Sequence, residues 1–239
     1  MTKRSSQRHF PYQHPTFGTS KKPRSEDSWK RTIYYLWWAY LRHNTEYIEC
    51  CALGGRGPKS SLYEDFGDVR GDTFKDWWTT GDRSIRLFAE PIANDSVRVL
   101  YESESVPSSN DGLTVFVPLT FPKSFLQRKF REIMAKHHNQ KRGYQYAKAS
   151  KAKYQFQGQP NIPALSLALI VYEYRLAYPH KRLWEIGNEI ANVLKDQKIR
   201  KSDDHATVTY KKRVLAIAVK RYLKRAEESI RRVGIGLSP

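Results

Sequence analysis

Cysteine is nearly absent from this 239-residue chain: there are two, and they are neighbours, Cys50 and Cys51. Bridging vicinal cysteines strains the peptide bond between them, so no disulfide framework is expected. Two adjacent thiols with no second Cys or His pair at finger or ribbon spacing also make no zinc site. They read as reduced thiols buried at the end of a helix. Long apolar runs are missing too. No window reaches the ~20 apolar residues of a membrane span, and the best stretch, 164–178, contains Glu173 and Arg175. The first residues lack the apolar core of a secretory signal. The expectation is a cytoplasmic protein with no membrane partner. No phosphate-cradling loop is present either. Gly54-Gly55-Arg56-Gly57-Pro58-Lys59-Ser60 has glycines and a Lys-Ser pair, but Pro58 removes an amide and no strand precedes the loop.

What the chain has in excess is positive charge. Its 42 Lys+Arg stand against 24 Asp+Glu, a formal net charge of +18, in a sequence that is 39% hydrophobic and 13% aromatic. That apolar content builds a core, so the chain is no solvated polybasic tail. Charge of this size and sign favours a polyanionic partner over a neutral metabolite. The excess is uneven: residues 1–25 carry +6, 26–122 carry −5, 123–156 carry +9 and 157–239 carry +8. This pattern suggests a flexible basic arm at 1–25, an acidic module at 26–122, a basic helix with an aromatic-basic segment at 123–162, and a helical basic module at 163–239.

The periodicity predicts an α+β fold. Apolar residues recurring every three or four positions point to one long helix from about 28 to 51, followed by two short acidic helices near 61–66 and 72–78. Three strand-like runs at 85–89, 97–102 and 114–117 suggest a small antiparallel sheet packed by the long helix. Pro122 opens a helix running to about His138. Beyond Pro163 the pattern predicts a three-helix module: an apolar helix at 164–178 stopped by Pro179, a second at 181–194, and a last one from about 207 to 233, ended by Gly234 and Gly236.

Two features suit nucleic acid. Residues 136–159 interleave Lys136, Lys141, Arg142, Lys148, Lys151 and Lys153 with Tyr144, Tyr146, Tyr154 and Phe156. Basic groups neutralise phosphates and exposed rings stack on bases. Lys129 stands on the helix that leads into this stretch. The alternative for the stretch is a solvated loop whose Tyr rings cap the core. The second feature is the last helix, with Lys211, Lys212, Arg213, Lys220, Arg221, Lys224 and Arg225 around an intact apolar stripe. With the helix before it, it resembles a helix-turn-helix unit joined by too long a turn. Its side chains are Lys and Arg rather than the Asn and Gln that read bases, so it suits phosphate better than base edges.

Other constellations are weaker. The acids Glu64, Asp65, Asp68, Asp72 and Asp76 are the one dense carboxylate cluster, at no recognisable metal-loop spacing. Glu90, Glu102 and Glu104 lie on or beside predicted strands, without the lysine a nuclease core places after its second acid. His137 and His138 suit the negative end of a helix. No catalytic residue, metal site or cofactor motif is assigned. Trp37-Trp38 and Trp77-Trp78 are tandem pairs whose neighbours diverge by about 100° on a helix. Core packing is the simpler reading; the other turns Trp38 and Trp78 toward a protein partner of the acidic half. The sequence therefore points to a non-enzymatic, DNA-binding protein acting in regulation, replication or recombination, for instance of a mobile element. The alternatives are an RNA-binding subunit of a ribonucleoprotein complex and a metal-dependent nuclease.

Overall fold

The computed structural model describes residues 10–90, 113–137, 152–156 and 158–239. The described chain is mostly helical with one small two-stranded antiparallel sheet, an α+β composition. The sheet pairs β1 (Gly18–Thr19) with β2 (Lys22–Pro23), Gly18 opposite Pro23 and Thr19 opposite Lys22. Six short helices follow: α1 (Glu26–Lys30), α2 (Ile33–Leu41), α3 (Thr45–Ala52), α4 (Ser60–Phe66), α5 (Phe74–Thr79) and α6 (Arg83–Phe88). Then come α7 (Lys123–His137), α8 (Ile162–Ala177), α9 (Leu183–Glu189), a 3-10 turn at Lys195–Gln197, and α10 (His205–Val233).

The long first helix expected from periodicity is three helices, because capping side chains restart the chain twice. The Thr32 hydroxyl accepts from the Tyr35 amide at the start of α2. The Asn44 Oδ1 accepts from the Tyr47 amide at 2.9 Å at the start of α3. Such side-chain caps satisfy donors that a fresh helix leaves orphaned, and so fix where it begins. Asn44 is itself buried, and its amide donates to the Ile230 carbonyl near the end of α10, tying this corner to the far end of the chain. Gly234 follows at the same spot, where a Cβ would fall 2.2 Å from the Asn44 amide nitrogen.

The predicted sheet is not the observed one. Residues 85–89 lie mostly in α6, where Ser84, Leu87 and Phe88 are buried at the three- and four-residue spacing of a helix rather than the alternation of a strand. Residues 114–117 are not paired in a ladder, and 97–102 lie outside the described residues. The observed hairpin sits in the segment expected to be a flexible arm. That segment also packs: Phe10 meets Tyr34 and Trp78, Tyr12 meets Phe156, and Phe17 meets Trp29 and Phe74, all at ring-centroid distances of 5.3 to 6.1 Å. The Tyr12 hydroxyl donates to the Gly158 carbonyl. Residues 10–17 join the core through these aromatic rings, while Lys3, Arg4 and Arg8 of the expected arm lie outside the described residues.

The core ignores the charge boundaries. One cluster gathers α2, α4, α5, α6, Tyr154 and Phe156, Leu165, Ala168 and Leu169 of α8, and Ala226, Ile230 and Val233 of α10. A second joins Val171 of α8, Ile186 of α9, Val193, and Leu215, Ala218 and Val219 of α10. Helix α10 thus forms part of both. Gly187 lets α9 approach it closely, since a Cβ there would lie 3.1 Å from both Leu215 Cβ and Val219 Cγ2. Helix α9 is shorter than periodicity suggests. The Lys198 ammonium takes up the Gly187 and Ile190 carbonyls at its end, which stops it there. Removing residues 1–25 is expected to lower unfolding free energy by about 3–5 kcal/mol, because the packing of Phe10, Tyr12 and Phe17 goes with them. Urea denaturation followed by tryptophan fluorescence checks this, and an unchanged midpoint would count against the docking of residues 10–25.

Candidate nucleic-acid interface

Helix α10 is built from one side-chain cap and one stripe. The Asp204 carboxylate accepts from the Thr207 amide at 2.8 Å and opens 29 helical residues. Leu215, Ala218, Val219, Ala226, Ser229, Ile230 and Val233 line the buried side. Opposite them, Arg213, Lys220 and Lys224 are spaced by seven and four residues, which brings all three onto one line of the helix surface. Arg221 and Arg225 flank that line, and all five are exposed. No acid occurs between His205 and Ala226, and among the described residues none of the five takes part in a salt bridge. Tyr210 and Ile217 are exposed among them. Further along, Arg231 pairs with Glu228 at 2.6 Å, so the open ridge ends near Arg225.

Two basic residues assigned to this face do other work. The Lys211 ammonium sits 2.7 Å from the Asp203 carboxylate, both side chains largely covered, and donates to the Lys198 carbonyl. This corrects Lys211 from a phosphate contact to a lock on the turn before α10. The Lys212 ammonium lies over the Trp184 ring, 4.6 Å from its centroid. The Arg200 amide and then the Lys211 ammonium hold the Asp203 carboxyl below its usual range. Burial lowers the pKa of Lys198, which serves the α9 carbonyls instead of solvent.

In the aromatic-basic segment, Lys141, Arg142, Tyr144, Tyr146, Lys148 and Lys151 lie outside the described residues. Lys129 and Lys136 are exposed on α7, Lys129 bridged to Glu132 at 2.7 Å. Tyr154 is a correction. It is buried rather than open to a base, with its ring edge against Phe66 at 4.9 Å and its hydroxyl donating to Asp65 Oδ2 at 2.7 Å. Burial, with Asp65 beside it, pushes the phenol pKa up. Lys153 reaches the other Asp65 oxygen at 2.6 Å, so its charge already faces a carboxylate. The Tyr154 amide donates to the Leu87 carbonyl. Residues 152–156 thus anchor this end of the segment to α4 and α6.

Trp38 and Trp78 are 4% and 7% exposed, buried like Trp37 and Trp77, which follows the core-packing reading and not the partner-facing one. Both rings of each pair go inward because aromatic side chains cover them on several sides, Phe74 touching Trp38, and Phe74, Phe88, Tyr34 and Phe10 touching Trp78.

The acids do not converge. Asp65 holds Lys153 and Tyr154, Asp68 pairs with Arg70 at 2.7 Å, and Asp76 exchanges hydrogen bonds with Thr73 at the start of α5. Among the described residues no group of three His, Cys, Asp or Glu is placed to hold a metal ion. Glu102, Glu104 and His138 lie outside them. Cys50 and Cys51 are buried free thiols in the last turn of α3.

Sequence reasoning missed an aromatic-arginine cleft at the start of α7. Phe121 and Phe125 stack at 4.9 Å and 30°, the Arg128 guanidinium lies 5.5 Å from the Phe125 centroid, and Pro122, Ser124, Phe125, Arg128 and Arg131 line an open cleft. Two phenylalanines four residues apart with an arginine three further on were the available signal.

Because the Asp203 carboxyl is depressed in the folded state, its contribution is full above the unfolded value near 4 and is lost as pH falls through the folded one. Asp203→Asn is therefore expected to lower Tm at pH 7, with the gap to the parent protein closing below about pH 4. Thermal unfolding across pH measures it. The chain matches no protein-family model, no curated protein and no solved structure.

Proposed function

We propose that this is a non-enzymatic nucleic-acid-binding protein that grips duplex DNA through phosphate contacts from α10. The observation that carries the reading is the acid-free exposed ridge of Arg213, Lys220, Arg221, Lys224 and Arg225 on a helix whose other face is locked into two cores. The helix backbone is already ordered before binding, so the ordering that opposes association is confined to the side chains. From Arg213 to Lys224 the ridge runs about 16 Å at 1.5 Å per residue. Cations held along such a line displace condensed counterions from a phosphate backbone.

Arginine and lysine at these positions favour positioning on the backbone over reading base edges. Binding is accordingly expected to vary little with duplex sequence.

The triple variant Arg213→Ala, Lys220→Ala, Lys224→Ala is expected to reduce the slope of log affinity against log salt by up to about 2.7, since each of the three phosphates left unneutralised takes away about 0.9. Fluorescence anisotropy with a labelled duplex across a salt series reads this directly. Lys211→Ala should instead lower Tm and leave the slope nearly unchanged. An unaltered slope in the triple variant would remove α10 from the interface.

A further inference from the structure

We infer that the surface at the start of α7 takes an unpaired base of a single-stranded nucleic acid, stacked on Phe121, with Arg128 and Arg131 of the neighbouring cleft on the adjoining phosphates. This rests on the nucleic-acid reading above but uses a different surface. The cleft has a volume of about 510 Å³ and is lined by Pro122, Ser124, Phe125, Arg128 and Arg131. It is an open groove along one stretch of the chain, Pro122 to Arg131, rather than an enclosed pocket.

Its chemistry selects the occupant. Phe121 is stacked on Phe125 and still 48% exposed. An exposed ring held in position by a second ring is a platform that any nucleobase can cover, and stacking of this kind is tolerant of sequence. The guanidinium of Arg128 lies against Phe125, and Arg131 stands one helical turn further on the same rim. Arginine there offers a planar cation to phosphate or to the base itself. Lys123 and Lys129 are exposed on the same helix. Among the described residues no acid lines the cleft. Phe116, Leu119 and Phe130, near the cleft in sequence, are exposed apolar side chains that lipid also covers, and the vesicle arm of the experiment separates the two occupants.

A duplex keeps its bases stacked within the helix, so Phe121 should matter for single strands alone. The test compares an oligothymidylate, an abasic strand of the same length and a duplex, by anisotropy at one salt concentration. The parent protein is expected to prefer oligothymidylate to the abasic strand. Phe121→Ala is expected to weaken oligothymidylate binding about 5- to 100-fold, abolish that preference, and leave duplex affinity and its salt slope unchanged. Because Phe121 is exposed, the variant's unchanged Tm serves as the folding control.

Equal binding of oligothymidylate and the abasic strand by the parent would overturn the inference while salt-dependent duplex binding left the proposed function standing. So would an equal loss on duplex and single strand in Phe121→Ala. If Phe121→Ala instead abolishes co-sedimentation with phosphatidylserine vesicles and leaves oligothymidylate binding intact, the cleft is a lipid-docking surface and the inference falls. Absence of salt-dependent binding to all three nucleic acids would overturn both readings together.

Discussion

The architecture depends on α2, a helix with no side that tolerates water. Eight of the nine residues of Ile33–Leu41 are buried, and they run Ile-Tyr-Tyr-Leu-Trp-Trp-Ala-Tyr-Leu with one partly covered tyrosine. A helix apolar all round must be surrounded. Around this one the chain assembles residues 10–17, α5, α6, the short segment 154–156, α8 and the end of α10. The Tyr40 hydroxyl donates to the Leu165 carbonyl and the Tyr34 hydroxyl accepts from the Tyr12 amide, whereas the Trp37 and Trp38 indole N–H groups are buried with no hydrogen-bond partner among the described residues. Pieces far apart in sequence are thus held by one demand, the exclusion of water from α2. Burial on this scale pushes the phenol pKa values of Tyr34, Tyr40 and Tyr47 upward.

The same demand organises the charge. Helix α10 contributes to both clusters along one side, so its remaining side is turned outward and fixed in orientation. Which of its cations face solvent is then settled by neighbours. Asp203 takes Lys211, the Trp184 ring takes Lys212, and Glu228 takes Arg231. The residues between them are left as an uninterrupted positive ridge. Charge that is already paired inside the molecule gains little from phosphate, because a carboxylate must first be abandoned; the exposed five do not face that opposition.

Much of the helical layout was legible. Apolar spacing located α7, α8 and α10 to within a few residues, and Pro122, Pro179 and Gly234 mark their limits. These signals are local: a stripe, a breaker, a cap. The errors share a cause as well. Residues 85–89 alternate plausibly as a strand, yet Ser84, Leu87 and Phe88 all find cover in α6 because the surrounding rings sit on one side of a helical turn. The break at Asn44 depends on a carbonyl 186 residues away. Tyr154 looked like an exposed ring among lysines until Asp65, 89 residues earlier, supplied its hydroxyl partner.

The sequence by itself determined the amount of positive charge, its concentration at the N-terminus and beyond residue 122, and the amphipathic repeat of α10. Those follow from composition and from a fixed 3.6-residue period, neither of which needs a partner. Only the tertiary structure decided which rings and cations are available. It took Trp38, Trp78 and Tyr154 into the core, locked Lys211 onto Asp203, docked residues 10–17, and left Phe121 open, stacked on Phe125. Availability is a property of what covers a side chain, and for these residues the cover comes from chain segments that sequence spacing does not relate.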